Sequence, residues 1–369
     1  MKLLFVVTGV GLGHSTRIDS IISAVKEKEK DAEIGIATFD TAYDYFKNKY
    51  PTTKIYGLRL NEGKFKFSLI KTIIKNWIFI LIWMRTFFIL LKLVIKYKPD
   101  RMVIDFEPMA VLVARLMGIK HTMVFNFDRK LLHEYNHAKG FNPDYLLQSE
   151  YFIRTYELAK GRKIVTSFFN RGISGNYIYV EPIIRANPEA IWRQGILMRK
   201  AVHKKPLLVM MGGSKIGKDL AEAIGRIAKD FSNENFIIFG DIAIKQKNVE
   251  VIKFAPNFLK YLSICKGIIT LAGFSTLSEI LAFKKPALIY PIPNYIEQAL
   301  NAFEIKRRKL ALVRELKEIN DNDIKNDIKT FLDNKEKIQE RLNEMNVKSN
   351  GAEQAAELIL RNKKVKEII

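Results

Sequence analysis

The sequence is poor in cysteine and poor in acidic residues. Cys265 is the single cysteine among 369 residues, which excludes an internal disulfide framework and favours a reducing compartment. Asp and Glu number 39 against 61 Lys and Arg, so the formal net charge is +22. Such a surface favours polyanionic partners: nucleic acid, anionic lipid headgroups or phosphorylated substrates. Charge alone does not choose among them.

The N-terminus lacks the long apolar core of a signal peptide. The apolar run in MKLLFVVTGVGLGHS is about five residues, which is too short for such a core. The run instead predicts a buried first strand followed by a glycine turn, and we expect a cytoplasmic protein. Apolar residues make up 48% of the sequence, which excludes disorder caused by low hydrophobicity.

Strand-like apolar runs alternate with helical segments along most of the chain. Runs rich in Val, Ile and Leu, each followed by a helix, indicate parallel sheets covered on both faces. The predicted strands form two series: 2–9, 33–39, 101–106, 121–127, 163–168 and 177–182, then 206–213, 235–240, 249–254, 267–273 and 286–292. Two series predict two doubly wound, Rossmann-like α/β domains that face each other across a cleft.

Two prolines at 180–190 interrupt this pattern and indicate the join between the domains. We therefore predict an N-terminal domain at 1–183 and a C-terminal domain at 184–349. A last helix is predicted at 350–369, with Asn350 and Gly351 at its start, and it is a candidate to pack back onto the N-terminal domain.

Three predicted strands end in glycine-rich turns, and doubly wound sheets bind ligands at the carboxyl ends of their strands. The first turn, TGVGLGHSTR, places His14 at the start of the next helix. Glycine allows close backbone approach, so Gly9, Gly11 and Gly13 are predicted to clear space around the imidazole. A structural histidine at a helix start is the alternative.

The second and third turns are suited to anions. MMGGS (210–214) offers backbone N–H groups at a strand end. In TLAGFSTLSE, Gly273 closes a strand before a helix whose first N–H groups and dipole favour phosphate. Ser275 is a good N-cap, and Glu279 can accept hydrogen bonds from the vicinal hydroxyls of a ribose. A capping box from Thr276 to Glu279 explains the same residues equally well.

Together these turns resemble the GT-B glycosyltransferases, most closely the branch that contains MurG and the UDP-glucuronosyltransferases. Three segments carry the resemblance: the glycine loop ending in His14, GGS at 212–214, and AGFSTLSE…KKPALIYPIPNYIEQALNA at 272–302, of which the last is the specific one. The resemblance extends from residue 3 to about 310. It implies an inverting transferase that moves a sugar, a hexose or N-acetylhexosamine, from a UDP-sugar to a hydroxyl, with no cofactor and no metal.

The resemblance also implies a role for each matching residue. His14 would be the general base and Asp105 the carboxylate that orients it, with Glu107 as a second candidate beside the acceptor-side loop of Gly11 and Gly13. The residues implied to hold the donor are Gly213, Ser214, Phe254, Ala255, Gly273, Ser275, Thr276, Glu279, Glu297, Gln298 and Asn301. The Glu297–Gln298 pair and the YPIPNY loop depart from the usual pattern, so the identity of the sugar stays open.

The segment at 65–100 is long and apolar. Within 77–95 the polar residues are Arg85, Thr86 and Lys92. A single membrane crossing would put the strands before and after it on opposite sides of the bilayer. We therefore predict a helix at about 66–97 that lies at the membrane interface, and a fully buried helix with snorkelling lysines is the alternative. The residues predicted to contact the membrane are Lys71, Lys75, Trp77, Trp83, Arg85, Lys92 and Lys96.

These features predict a peripheral enzyme at the inner face of the cell membrane, with a nucleotide-sugar donor and a lipid or lipid-linked acceptor as partners. Two other functions remain open. A basic nucleic-acid-binding protein fits the charge, but the sequence has no recognised nucleic-acid motif. An enzyme like the UDP-N-acetylglucosamine epimerases would release UDP and free sugar without an acceptor, but its additional catalytic carboxylates are not identifiable in the sequence.

Overall fold

The computed structural model describes residues 1–57, 79–139, 143–169, 171–193, 204–212, 215–253, 255 and 257–361. These residues divide into two compact units. The first unit contains the described residues of 1–57, 79–185 and 348–361, and the second contains those of 186–347. Each unit is a doubly wound α/β domain, which confirms the predicted fold class.

The first unit is built on an eight-stranded sheet in the described part of the chain. Its strands are β1 (Lys2–Val7), β2 (Glu33–Thr38), β3 (Thr52–Lys54), β4 (Arg101–Asp105), β5 (Lys120–Phe125), β6 (Arg162–Thr166), β7 (Ile173–Ser174) and β8 (Tyr177–Val180). They lie in the order β3-β2-β1-β4-β5-β6-β8-β7. The short β7 pairs antiparallel with β8. The strand order reverses between β1 and β4, so this pair forms the topological switch point.

Helices follow strands along the first unit. They are α1 (Leu12–Lys28), α2 (Asp40–Phe46), α3 (Phe79–Tyr97), α4 (Pro108–Leu116), α5 (Arg129–Lys139) and α6 (Pro143–Leu158). In α1 the buried residues Ile18, Ile21, Ile22 and Val25 recur at helical spacing, which is why this segment forms an amphipathic helix against the sheet.

The second unit has a six-stranded sheet among its described residues. The strands are β9 (Leu207–Met210), β10 (Phe236–Phe239), β11 (Val249–Ile252), β12 (Gly267–Leu271), β13 (Ala287–Tyr290) and β14 (Leu312–Val313). All neighbours pair in parallel, in the order β11-β10-β9-β12-β13-β14. The order therefore reverses between β9 and β12. The helices are α7 (Lys215–Ile227), α8 (Phe258–Ile264), α9 (Phe274–Ala282), α10 (Ile296–Arg307) and α11 (Asp321–Glu344).

The last described helix, α12 (Gly351–Leu360), belongs to the first unit. It packs along α1, and its apolar face enters the same core as the buried face of that helix. Gly351 lies against the backbone of Glu181, where an added Cβ would stand 1.9 Å from the carbonyl oxygen. Arg101 donates to the carbonyl oxygens of Ile359 and Arg361, and Arg162 donates to that of Leu358. Both arginines therefore cap the C-terminal turn of α12.

Helix α3 lies within the range predicted for the membrane-associating helix. Its residues Thr86, Leu90 and Val94 are buried, and the Thr86 hydroxyl both donates to the Tyr56 carbonyl and accepts from the Tyr56 N–H. The opposite face exposes a set of large apolar side chains, Ile80, Leu81, Met84, Phe88 and Ile95, each at least half exposed. A fully buried helix is therefore the wrong interpretation of residues 80–97.

Basic side chains flank this apolar face. Lys92 and Lys96 are exposed, and the Arg85 guanidinium lies 4.2 Å from the ring centroid of Tyr56. Trp83 is half-buried. Lys71, Lys75 and Trp77 lie outside the described residues. Among the helices that the structure describes, none is both long and apolar enough to cross a membrane.

Candidate functional site

The switch point of the first sheet brings His14 and Asp105 together. Asp105 is the last residue of β4 and pairs with Val7, the last residue of β1. Helix α1 starts at Leu12, after the turn at residues 8–11, and places His14 in its first turn. The Nδ1 atom of His14 consequently lies 3.0 Å from the Oδ1 atom of Asp105, across 91 residues of sequence. The geometry expected for a base and its orienting carboxylate is present, and both catalytic roles stay predictions.

The glycine loop before His14 works differently from the sequence prediction. Gly11 is the N-cap of α1 and has a φ of 71°, a left-handed conformation that favours glycine. An added Cβ on Gly9 would stand 2.2 Å from the carbonyl oxygen of Phe39. The prediction that the glycines clear space around the imidazole is therefore wrong for Gly9, which accommodates Phe39. Gly11 turns the chain into the helix, and because an added Cβ there would meet nothing within 4 Å, its part in the prediction stays a prediction. The carbonyl of Gly13 accepts a hydrogen bond from Thr16.

Arg17 is a member of this site that sequence analysis did not identify. Its Nη2 atom lies 2.7 Å from each carboxylate oxygen of Asp105, and its Nε atom lies 3.2 Å from Oδ2. Arg17 and Asp105 are both buried. The available signal is the spacing: residues three apart on a helix lie on one face, so Arg17 follows His14 toward the end of β4.

The charges of this cluster decide the ionisation of Asp105. Burial of the carboxyl would raise its pKa, but attraction to Arg17 and His14, with the hydrogen bonds from both, outweighs burial and holds the pKa of Asp105 below its ordinary value. Asp105 is therefore an anion at neutral pH, paired inside the protein.

Phe106 and Glu107 continue the chain beyond the cluster. Phe106 has a φ of 53°, uncommon for a residue with a side chain, and its ring meets the His14 ring edge-on with centroids 5.5 Å apart. Glu107 is 4% exposed, and burial raises its pKa to about 8. Among the described hydrogen bonds, Asp105 and not Glu107 is the carboxylate that meets His14.

The switch point of the second sheet carries the turn that follows β12. Gly273 is the N-cap of α9, and its carbonyl accepts the first helical hydrogen bond from Leu277 over 3.0 Å. The helix therefore begins at Phe274. The predicted N-cap at Ser275 is wrong, and so is the capping box, because its cap residue Thr276 already lies inside the helix.

The residues of this turn leave room on one side of the backbone. An added Cβ on Gly273 would meet nothing within 4 Å. Ser275 and Thr276 are half-buried in the first turn of α9, where helix N–H groups favour an anion. Glu279 lies one turn further and is 1% exposed. Its predicted contact with a ribose stays a prediction.

Gln298 and Asn301 tie two turns of the second unit together. The Oε1 atom of Gln298 accepts from the N–H of Ala272 over 3.2 Å and from that of Ile292 over 3.0 Å. The Nδ2 atom of Asn301 donates to the carbonyl of Ala272 over 3.0 Å. Helix α10 thereby fixes the turns that follow β12 and β13. Within the described residues, the Nε2 group of Gln298 makes no hydrogen bond, and it is the group that could reach a ligand.

The structure describes only some of the remaining residues that were predicted to hold the donor. Glu297 accepts a hydrogen bond from the Tyr295 hydroxyl over 3.0 Å. Burial, followed by the effect of Glu297, raises the pKa of Tyr295 well above its ordinary value. Ala255 is half-buried. Gly213, Ser214 and Phe254 lie outside the described residues.

Comparison with known proteins identifies the family and the fold. The family model described as glycosyl transferase family 1 matches residues 1–335. The crystal structure of MurG from Acinetobacter baumannii superposes with a TM-score of 0.61 at 17% identity, covering 97% of this chain and 98% of that chain. The likeness shows the GT-B fold.

Curated relatives resemble the chain in sequence as well. The UDP-N-acetylglucosamine--N-acetylmuramyl-(pentapeptide) pyrophosphoryl-undecaprenol N-acetylglucosamine transferase of Thermosipho africanus is 28% identical over 174 residues, which are 45% of this chain and 49% of that protein. The chain thus spans about half the length of this relative. An uncharacterized glycosyltransferase of Methanosarcina mazei is 23% identical over 341 residues, 83% of each chain.

Proposed function

The chain belongs to glycosyl transferase family 1, and on that premise we propose that it is an inverting glycosyltransferase. It moves a hexose or N-acetylhexosamine from a UDP-sugar to a hydroxyl of a lipid or lipid-linked acceptor at the cytoplasmic face of the membrane. The observation that carries the proposal is the contact of 3.0 Å between His14 and Asp105 at the switch point of the first sheet.

The contact supports proton abstraction from an acceptor hydroxyl. With its Nδ1 proton directed at Asp105, the imidazole of His14 presents Nε2 as a base. The carboxylate also stabilises the imidazolium that forms when the proton is taken. The side chain of His14 is 13% exposed, so it remains accessible to a substrate. The acceptor oxygen then attacks the anomeric carbon, the bond to the nucleotide diphosphate breaks, and the single displacement inverts the configuration.

The second unit supports binding of the departing diphosphate. Helix α9 begins beside Gly273, and the backbone N–H groups and dipole of a helix N-terminus stabilise phosphate charge as it develops. Uncharged donors of this kind make a metal unnecessary in the proposal, so turnover should survive chelation by EDTA. Glu279 is assigned to the ribose and Gln298 to the sugar through its Nε2 group.

The surface of α3 supports an acceptor held at a membrane. Its exposed apolar face combines Met84 and Phe88 with neighbouring side chains, flanked by Lys92 and Lys96. Apolar side chains bordered by basic residues bind at the boundary of an anionic bilayer. The relative from Thermosipho africanus is named for an undecaprenol-linked acceptor, which is consistent with this class of substrate.

The first experiment measures nucleotide release from a panel of UDP-, GDP- and TDP-sugars, with and without membrane lipid extract and with EDTA present. Release from a UDP-sugar that requires lipid is the expected result. Release that is independent of lipid would contradict the lipid acceptor and favour hydrolysis or epimerisation. Absence of release from every donor, together with salt-sensitive binding of RNA or DNA, would overturn the transferase in favour of a nucleic-acid-binding protein.

Membrane association is tested by flotation with vesicles of phosphatidylglycerol and phosphatidylcholine. Replacing Phe88, which is 59% exposed, by Ser should reduce binding about 30-fold, because about 2 kcal/mol of apolar contact is lost. Ile173→Ser is the matched control, since Ile173 is an exposed apolar residue on β7 outside α3. Equal binding by both variants and the wild type would remove α3 from the proposal.

A further inference from the structure

The buried carboxylate of Asp105 has a second partner besides His14, namely Arg17. A His–Asp pair does not require this second partner. Asp105 is 0% exposed and Arg17 is 4% exposed. Arg17 reaches both carboxylate oxygens, with Nη2 at 2.7 Å from each of them. A buried carboxylate stays ionised only when it is paired and hydrogen-bonded, and Arg17 supplies both conditions.

The Nδ1 atom of His14 has two polar neighbours that favour opposite tautomers. It lies 3.0 Å from the Oδ1 atom of Asp105 and 3.0 Å from the Nη2 atom of Arg17. A guanidinium group only donates, whereas an ionised carboxylate only accepts. A proton on Nδ1 satisfies Asp105 and leaves Nε2 free. A proton on Nε2 lets Nδ1 accept from Arg17, and His14 then has no free nitrogen facing a substrate.

We propose that Arg17 is a positioning residue that keeps His14 in the tautomer able to act as a base, and that it does so by keeping Asp105 ionised. Arg17 touches no substrate in this assignment. It acts through Asp105, whose charge draws the imidazole proton to Nδ1 and leaves Nε2 to take the acceptor proton. The assignment rests on the proposed transferase function and adds to it a residue that the His–Asp pair does not include.

The sign of the pH effect follows from the burial of Asp105. Burial alone raises the pKa of this carboxyl, and the attraction of Arg17 and His14 brings it below the ordinary value. Without Arg17, burial prevails and Asp105 keeps its proton to higher pH. A protonated Asp105 donates to Nδ1, which places the imidazole proton on Nε2 and abolishes the base. Activity would then be lost on the acid side and would return as the pH rises.

Ionisable groups near Asp105 also contribute to the pH profile. Among the described residues, Arg17 and His14, both on α1, are the groups that act on Asp105. Glu107 is two residues along the chain, and burial raises its pKa to about 8. Its ionisation is common to the wild type and to every Arg17 variant, so the informative quantity is the difference between their profiles.

The test compares Arg17→Met and Arg17→Lys with the wild type, using the donor that turns over. In Arg17→Met we expect kcat/KM at pH 7 to fall about 10-fold or more, with the acid limb of the profile about one pH unit or more higher. The KM for the donor should not change. Arg17→Lys retains the charge and should keep the acid limb close to that of the wild type. Asp105→Asn should lose activity without recovery at high pH.

Arg226→Met is the control, because Arg226 also forms a two-point ion pair, with Asp321, but at the surface of the second unit. It should leave the pH profile unchanged. Equal loss in Arg17→Met at every pH, or no loss, would overturn the positioning role and leave Arg17 as a structural residue.

A second measurement is independent of turnover. Imidazole ¹⁵N shifts report which nitrogen of His14 carries the proton. The wild type and Arg17→Lys should show the proton on Nδ1 at pH 7, and Arg17→Met, where it folds, should show it on Nε2. An Nε2 proton in the wild type or in Arg17→Lys would overturn the inference. Failure of the transferase proposal would instead appear as absence of turnover in a wild type whose Nδ1 is protonated.

Discussion

The two switch points share a strand order and differ in their chemistry. Each lies between two adjacent parallel strands where the order of a doubly wound sheet reverses, β1 and β4 in the first unit and β9 and β12 in the second. In the first, the buried ion pair of Arg17 and Asp105 contacts His14. In the second, Gln298 and Asn301 are neutral amides that hold backbone groups, and Glu279 lies one turn into α9.

This difference in side-chain charge determines what each switch point can do. A cluster of paired charges fixes a proton on one atom and can respond when the proton moves. Neutral amides and helix N–H groups can receive an anion without a change in protonation. Under the proposed function, the first switch point therefore takes the proton and the second takes the diphosphate, and the same sheet topology serves both tasks.

His14→Ala should have the largest effect and would separate the two switch points cleanly. Removal of a general base lowers kcat by about 10²- to 10⁴-fold, while UDP binding, which we propose for the second unit, should stay unchanged in calorimetry. His137→Ala, an exposed histidine on α5, is the control. Transfer by His14→Ala at nearly the wild-type rate would mean that the charged cluster is structural.

Asp105→Asn should destabilise the first unit more than any substitution at the second switch point. The change leaves Arg17 as a buried cation without its anion, and breaking such a pair costs about 3–5 kcal/mol. Hydrogen exchange measured by mass spectrometry should show faster opening of β1 and β4 than in the wild type. Protection equal to that of the wild type would mean that water, rather than burial, surrounds the pair.

Glu107→Gln should change how stability depends on pH. Burial raises the pKa of Glu107 to about 8, so between its ordinary value and about pH 8 the folded carboxyl stays neutral while the unfolded one is ionised. The free energy of unfolding then falls as the pH rises through this window. The Gln variant lacks this loss, and from pH 5 to 8 its stability should decline less, by up to about 4 kcal/mol.

Urea titrations at both pH values would measure this difference. Glu27→Gln, an exposed position on α1, is the control and should decline with pH as the wild type does. A Glu107→Gln variant with the same decline as the wild type would show that Glu107 ionises normally in the folded protein.

Gln298→Ala should have the smallest effect and should be confined to the second unit. It leaves the N–H groups of Ala272 and Ile292 without their acceptor, which costs about 1–3 kcal/mol, and it should weaken UDP binding in calorimetry. The pH profile of transfer should keep its shape. A shift in the acid limb of the pH profile of this variant would show that proton transfer also depends on the second switch point.

The longer strands of the fold are predictable from the sequence because their patterns are local. Each of the eleven predicted strands coincides with an observed one, since continuous apolar runs with turns at both ends need no knowledge of neighbours. The strands β3, β7 and β14 were not predicted. They are two or three residues long, too short for any periodicity, and exist because a neighbouring strand offers a partner.

The candidate site was predictable where a motif was local and unpredictable where contacts join distant residues. His14 and Asp105 followed from resemblance, but Arg17 required knowing which face of α1 meets the end of β4. The backbone partners of Gln298 depend on two turns that only the folded sheet brings together. Serine is a common N-cap, so the sequence favours Ser275 as the start of α9. The hydrogen bond from Leu277 to the Gly273 carbonyl, which defines the observed start, is visible only in the folded chain.

The capping of α12 by Arg101 and Arg162 has a consequence for the order in which the protein is made. The first unit needs residues 351–360 to complete its core, although all of the second unit precedes them in the chain. On a ribosome, the second unit can therefore reach its native contacts while the first still exposes the face of α1 that α12 will cover. A stalled or prematurely ended chain would carry a finished second unit and an incomplete first unit.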